Sequence, residues 1–113
     1  MFTVVHYLDA TGKDHYQAWL DSLRDRRAKI AIIQRTARLH LGLFGDHKHV
    51  RDGIHELRID IGPGYRVYYA VVGAMLILLT SGGSKRTQTP DIERAINLLN
   101  DWKKRNGPNT SHP

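Results

Sequence analysis

Cysteine is absent from the 113 residues, so disulfides and thiolate metal sites are excluded. Acid is scarce: eleven Asp and Glu stand against seventeen Lys and Arg, for a formal net charge of +6. That balance suits a polyanionic partner, nucleic acid first among them, although charge speaks of association and not of fold. Long apolar runs are missing too. The most apolar one, AMLILLT at 74–80, falls well short of the roughly 20 residues that cross a bilayer. The start, MFTVVHYLDA, has no basic region leading into a long apolar stretch, which reads as no secretory signal and no membrane partner. The expectation is a soluble cytoplasmic protein.

What is present is patterned. At 41% hydrophobic the chain can build one core without staples, and its length favours a single domain. FTVVHYL at 2–8 reads as a first strand. Thr11-Gly-Lys-Asp14 has the spacing of a helix start, followed by Tyr16, Trp19, Leu20 and Leu23 on one stripe. Asp25 is expected to cap a second helix in which Ile30, Ile33, Ala37 and Leu41 share the buried face, ended by Gly42. Arg26, Arg27, Lys29, Arg35 and Arg38 then form its basic outer side.

A short strand near Lys48 to Arg51 precedes ELRIDIGPGYRVYY at 56–69, two alternating runs around a Gly-Pro-Gly turn, hence a hairpin. Leu57, Ile59, Ile61, Val67, Tyr69 and Val71 face one side; Glu56, Arg58, Asp60, Arg66 and Tyr68 face the other. A three-residue turn sets Arg58 opposite Tyr68 and Asp60 opposite Arg66, an ion pair of structural value. MLILLT lacks alternation and so reads as a central strand covered on both faces. SGGSKRTQ is expected to be a loop. Thr89 caps a last helix with Pro90 at its first position and Ile92, Ala95, Ile96, Leu99 and Trp102 on its buried stripe. Asn106-Gly107-Pro108 should stop that helix and leave 106–113 as a disordered tail behind one domain at 1–105. The order is β-α-α-β-β-β-β-α, an α+β fold whose antiparallel-rich sheet of four to five strands carries the helices on the odd face and leaves the even face open.

The combination of an ELRI strand, GYRVYY, an apolar strand, GG-x-K-x-x-Q and Asp-Ile before a final helix resembles the RelE/ParE superfamily of toxins. It is most similar to the phage Gp49-like, HigB-type addiction module killer group, over about 2–104. The resemblance implies a small RelE-like fold and a type II toxin neutralised by a cognate antitoxin, commonly of helix-turn-helix type. It implies an endoribonuclease that cuts messenger RNA on the ribosome, with no metal or cofactor, leaving a 2′,3′-cyclic phosphate. Arg66 would clamp the scissile phosphate, Lys85 would add charge there, and Arg58 would hold a flanking phosphate. Tyr68 would stack on a base or donate a hydrogen bond, Arg86 would share or replace the role of Lys85, and Gln88, Lys48 and Arg51 would complete the RNA contacts.

Two departures bear on the chemistry. Ser84 stands where this group usually has an acid, and 89–92 offers neither the aromatic nor the histidine of other members. His55, His47 and His49 are then the candidates for a general base, with the core-facing parity of His55 counting against it. A ParE-like inhibitor of DNA gyrase shares the fold, and a non-catalytic nucleic-acid-binding module would need only the basic and aromatic surface. GGSKRT lacks P-loop spacing, and the three histidines lack a cysteine to complete a zinc set.

Overall fold

The computed structural model describes residues 1–111, with side chains up to residue 106. The elements are β1 (Thr3–His6), α1 (His15–Ser22), α2 (Arg26–Ala37), β2 (His47–Arg51), β3 (Ile54–Ile59), β4 (Tyr65–Val72), β5 (Leu76–Ser84) and α3 (Gln88–Ser111), with 3-10 turns at Leu39–Leu41 and Lys85–Thr87. The fold is α+β, in the order read from the sequence. One five-stranded sheet runs β1-β5-β4-β3-β2; β1 lies parallel to β5 and the other neighbours are antiparallel, so the sheet is mixed. No helix among the described residues is long and apolar enough to cross a membrane.

Local chemistry explains where the helices begin. Asp14, rather than Thr11, caps α1 and accepts from the Gln17 amide; Asp25 caps α2 and accepts from the Ala28 amide. Gly42, at φ 75°, closes the turn after α2. α3 starts earlier than expected, at Gln88, which puts Thr89 and Pro90 inside its first turn. Pro90 costs little there, because the first amides of a helix have no intrahelical acceptor. Asn106-Gly107-Pro108 does not end α3, which runs to Ser111. The expected tail extends to 112 and 113, which lie outside the described residues.

The sheet is covered on both faces, so the expected open face is corrected. Leu57, Ile59, Val67, Tyr69, Ile77 and Leu79 pack under α1 and α2, against Tyr16, Leu20, Ala28 and Ile32. Ile54, Tyr68, Ala70 and Leu78 pack under α3, against Ala95, Ile96 and Leu99. Two apolar layers on one strand set agree with the unalternating character of MLILLT.

The β5 loop expectation is also corrected, because Ser81–Ser84 continue the strand. They pair with Tyr65–Tyr68 across a bulge between Tyr68 and Tyr69. Two glycines permit this. A Cβ on Gly82 would enter the Trp19 ring of α1, and one on Gly83 would enter the Asp91 carboxylate of α3. Glycine is needed here for close approach on both sides of the sheet rather than for turn geometry.

The hairpin register differs by two residues from the expected one. Leu57 faces Val67, Arg58 faces Arg66, and Glu56 faces Tyr68. The connection is longer than a Gly-Pro-Gly turn because Asp60 and Ile61 also leave the ladder. A shift of two keeps every side chain on its face.

α2 presents a different side to the core than its aliphatic spacing predicts. Ala28 and Ile32 are buried, continued by Leu39, whereas Ile30, Ile33 and Leu41 are exposed. The reason is Arg35, which lies on the buried side and donates to the carbonyls of Arg58, Phe44 and Asp46 at 2.8, 2.9 and 2.9 Å. An arginine that satisfies three backbone acceptors holds its helix face against the sheet despite being polar.

Candidate functional site

The β3–β4 register sets two arginines directly opposite each other, Arg58 and Arg66. Like charges in that position repel, so an anion is required nearby. Glu56, two residues from Arg58 and therefore on the same face, supplies it. Arg58 Nε donates to Glu56 Oε1 at 3.1 Å, and Arg66 Nε lies 4.0 Å from the same oxygen. Gln88, in the first turn of α3, donates to Glu56 Oε2 at 3.2 Å. The carboxylate is 2% exposed and Arg66 5%. Sequence reading placed Glu56 on this face but assigned it no role. The available signal was a carboxylate sharing strand parity with two arginines.

Arg66 is held from several directions. Its Nη1 donates to the Tyr65 carbonyl at 3.0 Å and lies 3.6 Å from Asp60 Oδ1. The expected Asp60–Arg66 pair therefore exists, across the loop rather than across the ladder. Arg66 Nε and Tyr68 Oη are buried without a hydrogen-bond partner among the described residues. Burial, together with the charges of Glu56 and Asp91, raises the Tyr68 phenol well above the ordinary range, so it is a neutral hydroxyl at any working pH.

Lys85 joins this group through the backbone. Its amide donates to the Gly64 carbonyl at 2.9 Å, which ties the GG-x-K segment to the hairpin loop. Gly64 has φ 85°, and a Cβ on it would sit 3.3 Å from the Lys85 Cβ and 3.8 Å from Arg66 Nη1. The turn glycine thus leaves room for the Lys85 stem and the Arg66 guanidinium to approach the same point of the loop.

Beside Glu56 the surface opens into a cleft of about 380 Å³ lined by Lys48, Val50, Glu56, Arg58, Gln88, Thr89 and Ile92. The Arg58 side chain is 33% exposed and reaches solvent at its floor. The expected residues Arg58, Lys48 and Gln88 line this cleft, whereas Arg66, 5% exposed behind Glu56, is too buried to clamp a phosphate as expected, and Lys85 lies exposed at the hairpin loop. Arg86 is exposed on the 3-10 turn that follows β5. Arg51 is drawn away to the β2 edge, where it pairs with Asp52 at 2.7 Å and with Glu93 of α3.

Two expectations are corrected. Tyr68 cannot stack on a base, because α3 covers it and it is fully buried among Ile54, Ala70 and Leu99. The histidines belong to the other face of the sheet. His55 stacks on Tyr69 at 5.2 Å between centroids and meets His49 at 4.8 Å, while His47 packs on Phe44 at 5.3 Å. Burial, then the neighbouring His49 and His47, lowers the pKa of His55. The sheet separates these rings from Arg58 and Arg66, which removes them as bases for anything bound in the cleft.

Chemically, the cleft offers a carboxylate able to accept a proton, an adjoining arginine fork, and further cations at the rim. That set can bind a phosphodiester and take a proton from a neighbouring hydroxyl. No protein-family model matches the chain. A Haemophilus influenzae protein described as "Uncharacterized protein" is 50% identical over 80 residues, which is 71% of this chain and 81% of that protein. At that identity and coverage, the chain belongs to the same family as this Haemophilus influenzae protein.

Proposed function

We propose that the protein is the toxin of a type II toxin–antitoxin pair, of RelE/ParE type and HigB-like. It cuts messenger RNA on the ribosome without a metal and is neutralised by a cognate antitoxin. The observation that carries this reading is the Glu56 carboxylate set between Arg58 and Arg66 on the floor of an open, basic cleft. In the proposed reaction Glu56 accepts the 2′-hydroxyl proton as that oxygen attacks the adjacent phosphorus. Arg58 and Lys85 stabilise the charge on the phosphorane, and Lys85 delivers a proton to the departing 5′-oxygen. The products are a 2′,3′-cyclic phosphate and a 5′-hydroxyl. Arg66, at 5% exposure, acts from beneath by holding the Glu56 carboxylate in place from 4.0 Å.

The test uses purified ribosomes carrying a defined messenger RNA, with 5′ ends mapped after addition of the protein. Cut transcripts with 5′-hydroxyl ends are expected. Arg58→Ala should reduce cleavage by about 100- to 1,000-fold, the usual loss for one transition-state donor. It should remain folded with a stability loss of about 1–2 kcal/mol, because Glu56 loses its Arg58 hydrogen bond but keeps Arg66 and Gln88. Growth arrest with intact transcripts and a DNA-damage response would overturn the nuclease reading in favour of gyrase inhibition. Salt-sensitive RNA binding without turnover or growth arrest would leave a binding module.

A further inference from the structure

The sheet face beneath the start of α3 holds more buried polar groups than the proposed reaction uses. Glu56, Arg66, Ser81 and Asp91 are each 5% exposed or less, and Tyr68 is fully buried beside them. Two donors in this layer are orphaned: Arg66 Nε and Tyr68 Oη have no hydrogen-bond partner among the described residues. A buried donor left unpaired is destabilising, and native folds keep few of them. These two lie two residues apart on β4 and so share a face, which points to a common acceptor that they reach in another state of the site.

That acceptor is Glu56. Tyr68 lies directly opposite it in the β3–β4 ladder, and Arg66 Nε is 4.0 Å from its Oε1. A carboxylate accepts about four hydrogen bonds. Glu56 receives them from Arg58 Nε at 3.1 Å and Gln88 Nε2 at 3.2 Å, which leaves it room for more. The other buried carboxylate, Asp91, is engaged on both oxygens, Oδ2 by Thr87 and Oδ1 by Arg94 at 3.4 Å. Ser81, paired with Tyr68 in the ladder, turns its hydroxyl to Thr80 at 3.4 Å.

Arg58 is the donor free to leave. Its side chain is 33% exposed and lines the cleft, so a phosphodiester bound there competes with Glu56 for the guanidinium. The oxygen that Arg58 then releases is Oε1, the one already facing Arg66 Nε. A shift of about 1 Å brings it to hydrogen-bond length. Hydrogen bonds of this kind are often long in the free protein and tighten only when substrate is bound.

We propose that Tyr68 is a positioning residue: as Arg58 turns to a bound phosphodiester, Tyr68 Oη and Arg66 Nε take over Oε1 of Glu56 and hold the carboxylate toward the attacking hydroxyl. The free protein carries the unpaired donors and the substrate complex satisfies them. The role in proton transfer rests on the nuclease reading of the cleft, whereas the exchange of donors on Glu56 does not.

Tyr68→Phe tests this, because it removes the hydroxyl and keeps the ring packed among Ile54, Ala70 and Leu99. In the wild-type background the melting temperature should stay level or rise slightly, since an unpaired buried group is gone. Arg58→Ala releases Glu56 without any substrate. In that background Tyr68→Phe should instead lower the folding equilibrium constant by about tenfold, read from urea unfolding. A crystal structure of Arg58→Ala should place Glu56 Oε1 within about 3.2 Å of both Tyr68 Oη and Arg66 Nε. The same stability change in both backgrounds, or a carboxylate that stays clear of both donors, would overturn the exchange. On ribosomes carrying a defined messenger RNA, Tyr68→Phe should lower kcat by about tenfold with KM unchanged, a split that a packing role would not produce in a variant as stable as wild type. Cleavage at the wild-type rate would overturn the positioning role. Messenger RNA left intact by the wild-type protein would overturn the nuclease reading and that role with it, and the exchange of donors would then stand or fall on the unfolding cycle alone.

Discussion

Glu56→Ala should destabilise the fold by about 3 kcal/mol, and adding Arg66→Met should cost nothing further. Glu56 is 2% exposed, Arg66 is 5% exposed, and their charged atoms approach to 4.0 Å. At an effective dielectric constant of about 20, unit charges at that separation attract by about 4 kcal/mol. Desolvation of both groups offsets most of this, so the pair as a whole contributes little. Removing one partner is different, because the other stays buried and uncompensated, at a cost of about 3–5 kcal/mol. Asp60 lies 3.6 Å from Arg66 Nη1, but its side chain is 72% exposed and screened, so it compensates only in part. That puts the expected cost at the lower end. Arg66→Met alone leaves Glu56 with Arg58 and Gln88, and should cost about 1–2 kcal/mol. A coupling of about 2 kcal/mol between the two sites is then expected. Urea unfolding at pH 7 of wild type, both single variants and the double variant measures it, from midpoints and slopes. Additivity within about 0.5 kcal/mol would refute the argument that Glu56 is kept buried as the counter-charge of Arg66.

Two further predictions concern the frame around the site. Gly82→Ala and Gly83→Ala should each cost about 1–3 kcal/mol, since the added Cβ meets the Trp19 ring in the first and the buried Asp91 carboxylate, held by Thr87 and Arg94, in the second; a wild-type melting temperature in either variant would contradict this. His55 has a folded pKa below its ordinary 6.5, lowered first by burial and then by His49 and His47. The unfolded chain therefore binds more protons as pH falls, and the stability contributed by the neutral ring is present above about pH 6.5 and lost as pH falls through the lower folded value. His55→Phe keeps the stacking on Tyr69 and should flatten the melting temperature between pH 5 and 7, whereas an unchanged pH profile would exclude His55 as its source.

The element order, the cap Asp25, the interior position of MLILLT and the stripe of α3 were legible in the sequence, because each depends on neighbours a few residues away. The parity of the hairpin was legible as well: Arg58, Arg66 and Glu56 share a face whatever the register. What lay opposite what was not legible. The loop grew by two residues, so Arg58 met Arg66 instead of Tyr68, and only that pairing makes a buried Glu56 necessary. SGGS reads as a loop to any local rule. It became strand because Trp19 and Asp91, distant in sequence, descend on Gly82 and Gly83. The face that α2 buries was misread for a related reason. Hydrophobicity favours Ile30, Ile33 and Leu41, but the carbonyls of Arg58, Phe44 and Asp46 hold Arg35 inward and turn those aliphatics to solvent. Patterning along the chain settled which faces exist, while the packing of α3 over Tyr68 and the stacking of His55 on Tyr69 on the opposite face decided which chemistry each face can perform.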